Sequence, residues 1–351
     1  MDLLHNPTGV DGTPPPCYNK ARIFTKKEAV VTSWFVFSLC CVGAWGCADL
    51  FYKKSSDEAD RFSHLKIAVW VGLVMGVCAV GLLPFSETLK NGDVAGFFHN
   101  AVCYAPASLC YILSMVIGYA GLRYLELSVV SPVQNASGAL SALCMLVFFA
   151  ATGKIAHIGE AFSPLDLVGT GLIVAGMIAL AVTEQKLAGA PENTDKKYRF
   201  GALALLFPLL YCVFDTVGTA ADGILLADET GLGLGEIDVL VLYGLTFFAA
   251  GLVAWAVLFA KEHRAYNPFL KSERPKAAAA LCEEGGQVFY VYAMAAKPLL
   301  AAPMVASYCI VSVLLSRLIL KEKLTLAQTA CIAAVIAGIV ALGVSEGLAE
   351  A

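Results

Sequence analysis

The chain has 351 residues, of which 58% are hydrophobic and only 15% charged, with a mean hydropathy of +0.72 and a formal net charge of −4. A soluble domain carries about 25% charged and about 45–50% apolar residues, so this chain has too little charge to cover a soluble surface of its size. The near-neutral charge gives no electrostatic footprint for a nucleic-acid partner, and apolar runs that are continuous rather than alternating argue against a β-barrel. The expected class is an all-α polytopic membrane protein in contact with the lipid bilayer, in a cell membrane (plasma or inner).

Residues 1–29 read as a polar tail, with prolines at Pro14 to Pro16 ahead of the first apolar run. A cleaved signal peptide would place its apolar core earlier. A spanning helix needs about 20 mostly apolar residues. Ten such runs are predicted, at 30–51, 66–86, 100–120, 127–150, 165–183, 200–222, 237–260, 277–296, 299–319 and 326–345. Polar segments separate most of them. RYLE (123–126) alone parts the third run from the fourth, and Lys297–Pro298 alone parts the eighth from the ninth. Gly72 and Gly76 form a GxxxG, and Gly169, Gly171 and Gly176 recur in the fifth run. Small residues of this kind let helix backbones approach closely in lipid. Eleven of the 12 cysteines fall in or beside apolar runs and no CxxC occurs, so they are expected to act as small hydrophobes.

The chain also repeats itself. VAGMIALAV (174–182) aligns with IAGIVALGV (336–344) at an offset of 162. SPVQNASGALS (131–141) aligns with APMVASYCIVS (302–312) at an offset of 171, matching Pro132 to Pro303 and Ser141 to Ser312. GCAD ending at Asp49 answers TAAD ending at Asp222. Two repeats of five spans each, 30–183 and 200–346 joined by a polar linker at 184–199, must run in opposite senses because five is odd. Inverted pairs are typical of secondary transporters, with the substrate near the bilayer midplane between the halves.

The ninth and tenth runs read PMVASYCIVSVLLSRLILKEKLTLAQTACIAAVIAGIVALGV. A proline opens the helix, a Glu-Lys-Leu-Thr turn follows at Glu322 to Thr325, then Gln328 and a small-residue helix with a glycine-rich end. This resembles the EamA-like domain of the drug/metabolite transporter superfamily, over about residues 30–346. The first repeat shares Pro132 and the VAGMIALAV end, but its turn, GKIAHIGEAFSPLD, displaces the acid to Glu160. The resemblance implies ten helices in two inverted repeats, a central cavity, and movement of a small metabolite without ATP hydrolysis. It implies a structural role for Glu322.

Five acids fall inside the runs: Asp49, Asp215, Asp222, Glu283 and Glu284. A carboxylate at the bilayer centre costs roughly 2.5–3.5 kcal/mol on insertion scales, so such groups persist where they meet a cavity or a partner. Asp215 and Asp222, seven apart, share a helix face. Asp49 and Asp222 also lie near run ends, where water alone would explain them. In LCEEGGQVFYVYAM (281–294), Glu283, Gln287, Tyr290 and Met294 fall at i, i+4, i+7 and i+11, one stripe of a helix. Adjacent Glu284 points elsewhere, and both acids cannot snorkel to the same interface. Gly285 and Gly286 are expected to loosen that helix. Gln134, Asn135 and Ser137 in the fourth run, and Ser307 and Tyr308 in the ninth, are candidates for hydrogen bonds either to a ligand or between helices. Among the late spans, Arg317 is the one base inside a run and Lys297 parts the eighth from the ninth, both at ends. Acids without bases favour a cationic or zwitterionic small-molecule substrate, or acids that carry a coupling proton.

With ten spans, seven of the 24 lysines and arginines lie on the side of the termini. The positive-inside rule then puts the termini outside, whereas many members of the resembling family are drawn with both termini in the cytoplasm. No GxxxxGK[ST] loop and no HExxH occurs, so neither a nucleotide, nor a metal, nor any other cofactor is expected, and no enzymatic activity. A non-transporting scaffold or sensor is the remaining alternative, with an intramembrane enzyme behind it.

Overall fold

The computed structural model describes residues 34–56, 60–124, 127–155, 157–188, 206–226, 234–263, 265–320 and 325–350. Among them the regular structure is helical throughout. The long elements are α1 (Trp34–Ser55), α2 (Ser63–Leu82), α3 (Val94–Gly121), α4 (Leu127–Gln134), α5 (Ser137–Ala151), α6 (Pro164–Ala188), α7 (Leu206–Leu226), α8 (Glu236–Glu262), α9 (Arg274–Ala296), α10 (Pro298–Ala306), α11 (Tyr308–Leu320) and α12 (Leu326–Glu350). In an apolar solvent every backbone N–H and C=O must find its partner within the segment, and a helix is how a lone segment does so.

Nine helical stretches among the described residues are long and apolar enough to cross a bilayer, which marks an integral membrane protein. α9 is not one of them, although it is 23 residues long. Glu283, Glu284 and Gln287 interrupt its apolar character. It is nonetheless held deep in the bundle against α1, with Glu283, Gln287, Tyr290 and Met294 all buried, as their spacing predicts. The expected turn at RYLE begins at Leu122, while Leu125 and Glu126 lie outside the described residues. The expected break at Lys297 is present, and Pro298 starts the next helix. The Glu-Lys-Leu stretch at Glu322 to Leu324 lies outside the described residues, as does the tail ahead of Trp34 and most of the 184–199 linker.

The main helix pairs are α2 with α8, α1 with α9, α3 with α7, and α6 with α12. α5 packs on α10, and α4 on α11. Glycines set the closest approaches. A Cβ on Gly72 would lie 2.6 Å from the Phe247 carbonyl oxygen and 2.8 Å from the Gly251 Cα, and one on Gly76 would enter the Phe248 ring. At the α6–α12 crossing, Gly169 and Gly338 face each other's backbone and Gly176 meets Val335. Gly171 does not take part: a Cβ there meets nothing within 4 Å, because it points away from the partner helix.

Two rods are broken in the same manner. Pro132 sits in α4, and the helix interrupts at Asn135–Ala136 before α5; Pro303 sits in α10, and the helix interrupts at Ser307 before α11. Proline offers no N–H to the preceding turn, which weakens the helix there. Tight turns close both gaps, with Gly138 N–H donating to the Asn135 carbonyl at 3.2 Å and Ile310 N–H to the Ser307 carbonyl at 2.9 Å. The breaks come face to face: a Cβ on Gly138 would lie 2.7 Å from the Ala302 carbonyl oxygen.

Candidate functional site

The broken rods border a cavity of about 750 Å³, mouth included. Three carboxylates line it, from three helices: Asp49 of α1, Asp215 of α7 and Glu283 of α9. No lysine, arginine or histidine is among its described lining residues. Eight aromatic residues line it as well, Trp45, Tyr52, Tyr111, Tyr119, Tyr211, Tyr243, Tyr290 and Tyr308.

Each acid is held differently. Asp49 Oδ2 accepts from Ser131 Oγ at 2.6 Å and from Ser312 Oγ at 2.7 Å, so one carboxylate of α1 ties together α4 and α11. Asp215 Oδ2 accepts from Ser137 Oγ at 2.6 Å, at the first residue of α5. Hydroxyl donors to a charged acceptor are among the stronger hydrogen bonds. At Glu283 it is the backbone carbonyl that is anchored, by Trp45 Nε1 at 3.1 Å. The indole lies against Tyr290 with ring centroids 5.2 Å apart, and edge-on to Tyr308 at 5.6 Å. Gly286 makes this possible, since a Cβ there would fall inside the Trp45 ring. The glycine pair therefore does not loosen α9, which is unbroken from Arg274 to Ala296; Gly286 clears space for an indole instead.

Gln134 and Gln287 line the cavity with 5% and 2% of their surface exposed, and the side-chain nitrogen of each has no hydrogen-bond partner. Asn135 is turned back on its own helix, its Nδ2 donating to the Ser131 carbonyl at 2.8 Å. Tyr290 lies 2.7 Å, hydroxyl to hydroxyl, from Tyr111. Tyr111 in turn donates to Asp222 Oδ2 at 3.1 Å and lies 3.2 Å from Thr219 Oγ1.

Of the residues singled out in the sequence, the cavity brings together Asp49, Asp215, Glu283, Gln287, Tyr290, Gln134, Asn135, Ser137 and Tyr308. Three stand apart. Ser307 turns its hydroxyl back to the Met304 carbonyl at 2.6 Å. Glu284 is half-buried on another face of α9, beside Cys78 of α2, because neighbouring residues of a helix point about 100° apart. Asp222 is fully buried behind Tyr111 rather than in the lining, so proximity to a helix end does not make it wet. Water near a run end does not explain Asp49 either, which is buried and twice hydrogen-bonded. The aromatic wall and the Ser131 and Ser312 donors went unassigned in the sequence. Their signal was there, in tyrosines recurring within apolar runs that also carry acids, and in a serine near each rod's proline, Ser131 just before Pro132 and Ser312 nine residues after Pro303.

The cavity extends toward the Ser55 end of α1, where Tyr52 and Leu122 line it. On the other side packing is solid. A Cβ on Gly223 would meet Met294 Cε at 3.3 Å and Pro298 Cβ at 3.1 Å, with the Met145 sulfur nearer still. Met145 and Met294 are fully buried in that floor. Ion pairs lie at both ends of the bundle. Lys66 bridges Asp60 at 2.9 Å and Glu262 at 3.1 Å near the cavity end, and Lys276 pairs with Glu273 at 2.9 Å. Burial works against the Asp60 charge, but Lys66, the Phe62 N–H and Lys276 together hold its carboxyl below the usual range. At the opposite end Lys297 pairs with Glu346 at 2.6 Å and lies over the Trp34 ring.

No protein-family model matches the sequence, and no curated protein matches it. A solved structure titled "Crystal structure of protein" superposes with a TM-score of 0.56 at 15% identity, covering 91% of this chain and 99% of that one. At that identity the likeness speaks to the fold alone, and it extends over nearly the whole of both chains.

Proposed function

We propose that the protein is a secondary transporter that carries a small organic cation, or a zwitterion with its positive end leading, across a cell membrane by alternating access. The observation that carries this reading is the cavity itself: three carboxylates, eight aromatic rings and no base among its described lining residues. Buried charges of one sign without partners are costly, and an entering cation supplies the partner. Aromatic faces attract ammonium groups by cation–π interaction, worth about 2 kcal/mol or more when desolvated. In this reading Glu283 is the main counter-charge, and Asp49 and Asp215, already held by serine hydroxyls, shape the field. The unpartnered Gln134 and Gln287 amides donate to an acceptor elsewhere on the ligand.

The helix pairing supports ten spans in two inverted repeats, as in the EamA-like transporters that the sequence resembles. Taking α4–α5 and α10–α11 as single rods and counting α9, each rod of residues 34–188 has a counterpart in 206–350. Exchange of the counterparts turns the α1–α9 contact into the α7–α3 contact and leaves the α2–α8 and α6–α12 contacts unchanged. Both broken rods then meet at the site, the arrangement of midplane transporter sites. The cavity's reach toward one end and its methionine floor on the other fit one state of an alternating cycle.

The test is ligand-dependent thermal stabilisation of the purified protein with quaternary amines, polyamines, amino acids, nucleobases and sugars. A bound ligand at 100 times its Kd stabilises by about 2.7 kcal/mol. Stabilisation by ammonium compounds, lost in Glu283→Gln, is expected. Stabilisation by sugars alone, or by cations equally in wild type and Glu283→Gln, would count against this site. Counterflow of the hit in liposomes then separates a carrier from a scaffold.

A further inference from the structure

Asp222 is the one intramembrane acid on α7 that the substrate cavity does not use. It has no exposed surface, and its Oδ1 has no hydrogen-bond partner. Its other oxygen is joined to the cavity through two hydroxyls in series. Tyr290 and Tyr111 both line the cavity, stand 2.7 Å apart at their hydroxyls, and Tyr111 donates to Asp222 Oδ2 at 3.1 Å. Thr219, one turn before Asp222, lies 3.2 Å from the Tyr111 hydroxyl and steadies it. The Tyr104 hydroxyl also faces the carboxylate, fully buried and without a hydrogen bond of ordinary geometry.

We propose that Asp222 is a proton-coupling site separate from the substrate carboxylates, loaded from the cavity along the Tyr290–Tyr111 hydroxyl relay. Asp222 has this role only if the protein is the secondary transporter proposed for it. The step is one net proton transfer. A proton arriving from cavity water adds to the Tyr290 oxygen as the Tyr290 proton passes to the Tyr111 oxygen. The Tyr111 proton passes to Asp222 Oδ2, both tyrosines end neutral, and the carboxylate becomes a carboxylic acid. The groups that face Asp222 suit this. They are Tyr104 and Tyr111 from α3, Tyr243 from α8, Tyr290 from α9, and Asp215 about two turns back on its own helix. None is a base that would hold the carboxylate permanently charged. On the remaining side Met145 of α5, Met294 of α9 and Pro298 of α10 pack at Gly223, next to Asp222. That floor keeps water from the far end away from the acid. A proton site behind the substrate site and beside the floor is well placed to sense which end is open.

Two measurements test it, one without any substrate. Infrared difference spectra of the full-length protein, titrated from alkaline to acid pH, should show a buried carboxylic-acid band that Asp222→Asn removes. An unchanged set of bands in that variant overturns the proposal. The second uses liposomes and radiolabelled tetraethylammonium. A gradient of one pH unit should drive the wild-type accumulation ratio to about tenfold for a one-to-one exchange. In Asp222→Asn accumulation should fall to unity while exchange at equal pH survives. Loss of exchange along with accumulation in a folded variant would place Asp222 in the substrate site instead. Accumulation driven by a sodium gradient at constant pH would likewise overturn the proton assignment. Absence of tetraethylammonium exchange by the wild type counts against the organic-cation reading, and the infrared titration then decides Asp222 alone. If Asp222→Asn does not fold, Tyr111→Phe serves. It should shift the carboxylic-acid band and lower the ratio of pH-driven accumulation to exchange, and an unaltered band and ratio would reject the relay.

Discussion

Replacing Gly72 with alanine probes the seam between α2 and α8, one of the principal helix pairs of the bundle. The added methyl would lie 2.6 Å from the Phe247 carbonyl oxygen and 2.8 Å from the Gly251 Cα, where ordinary contact begins at 3.4 Å. Both obstacles are backbone, so no rotamer change relieves them, and the helices must separate by several tenths of an ångström. A gap of about 0.5–1 Å forfeits a quarter to a half of the dispersion energy of each contact along the seam. Overpacking of this kind costs about 1–3 kcal/mol. Glycine-to-alanine in a helix interior also gains about 0.5–1 kcal/mol of backbone entropy, so a control is needed that shares this gain. Gly171→Ala in α6 provides it, because the methyl there meets nothing within 4 Å. The difference between the two variants isolates the clash. Thermal unfolding in detergent, followed by size-exclusion recovery, should place Gly72→Ala below Gly171→Ala, with Gly171→Ala at or slightly above wild type. Equal midpoints for the pair would refute close backbone packing at Gly72.

Lys297→Met should destabilise by about 1–3 kcal/mol, because it strands the buried Glu346 carboxylate; adding Glu346→Gln should restore much of the loss, and a double-mutant cycle without coupling would contradict the pair. Asp60→Asn should cost no more than about 1 kcal/mol, since the Asp60–Lys66–Glu262 cluster is partly solvated. Because the folded-state carboxyl lies below its unfolded value near 3.9, Asp60 contributes fully above that value and loses its contribution as pH falls through the lower, folded one. The stability gap between wild type and Asp60→Asn should therefore close in acid, and a gap that widened in acid would reverse the assignment. Trp45→Phe should weaken ammonium binding modestly by losing the bond to the Glu283 carbonyl, and Trp45→Leu more strongly by losing the aromatic face as well; isothermal titration with tetraethylammonium ranks them, and equal affinities would exclude a cation–π contact at Trp45.

Much of the site was legible because helical spacing is rigid. Glu283, Gln287 and Tyr290 could be placed on one inward stripe from their numbering alone, and Glu284 was bound to point elsewhere. What the numbering could not convey is which stripe meets which. Asp49 joins Ser131 and Ser312 across separations of 82 and 263 residues, and no local pattern encodes such a pairing. Gly286 was readable as a flexible point and proves to be a socket for Trp45, because a missing Cβ looks the same in sequence whether it frees a backbone or admits a ring. Asp222 was indistinguishable from Asp49 by its distance from a helix end, yet one lines the cavity and the other lies behind Tyr111.

Composition and spacing alone fixed the solvent: too few charges for water, apolar runs of spanning length, and two prolines at matched positions of an internal repeat. Those are one-dimensional properties, fixed by composition and by the 3.6-residue turn. The tertiary structure decided which acids share a cavity, which hydroxyls hold them and which one is set apart, because lipid supplies no hydrophobic force to order the helices. Their arrangement follows from backbone approaches at glycine and from side-chain hydrogen bonds between distant segments, and those exist only once the bundle is assembled.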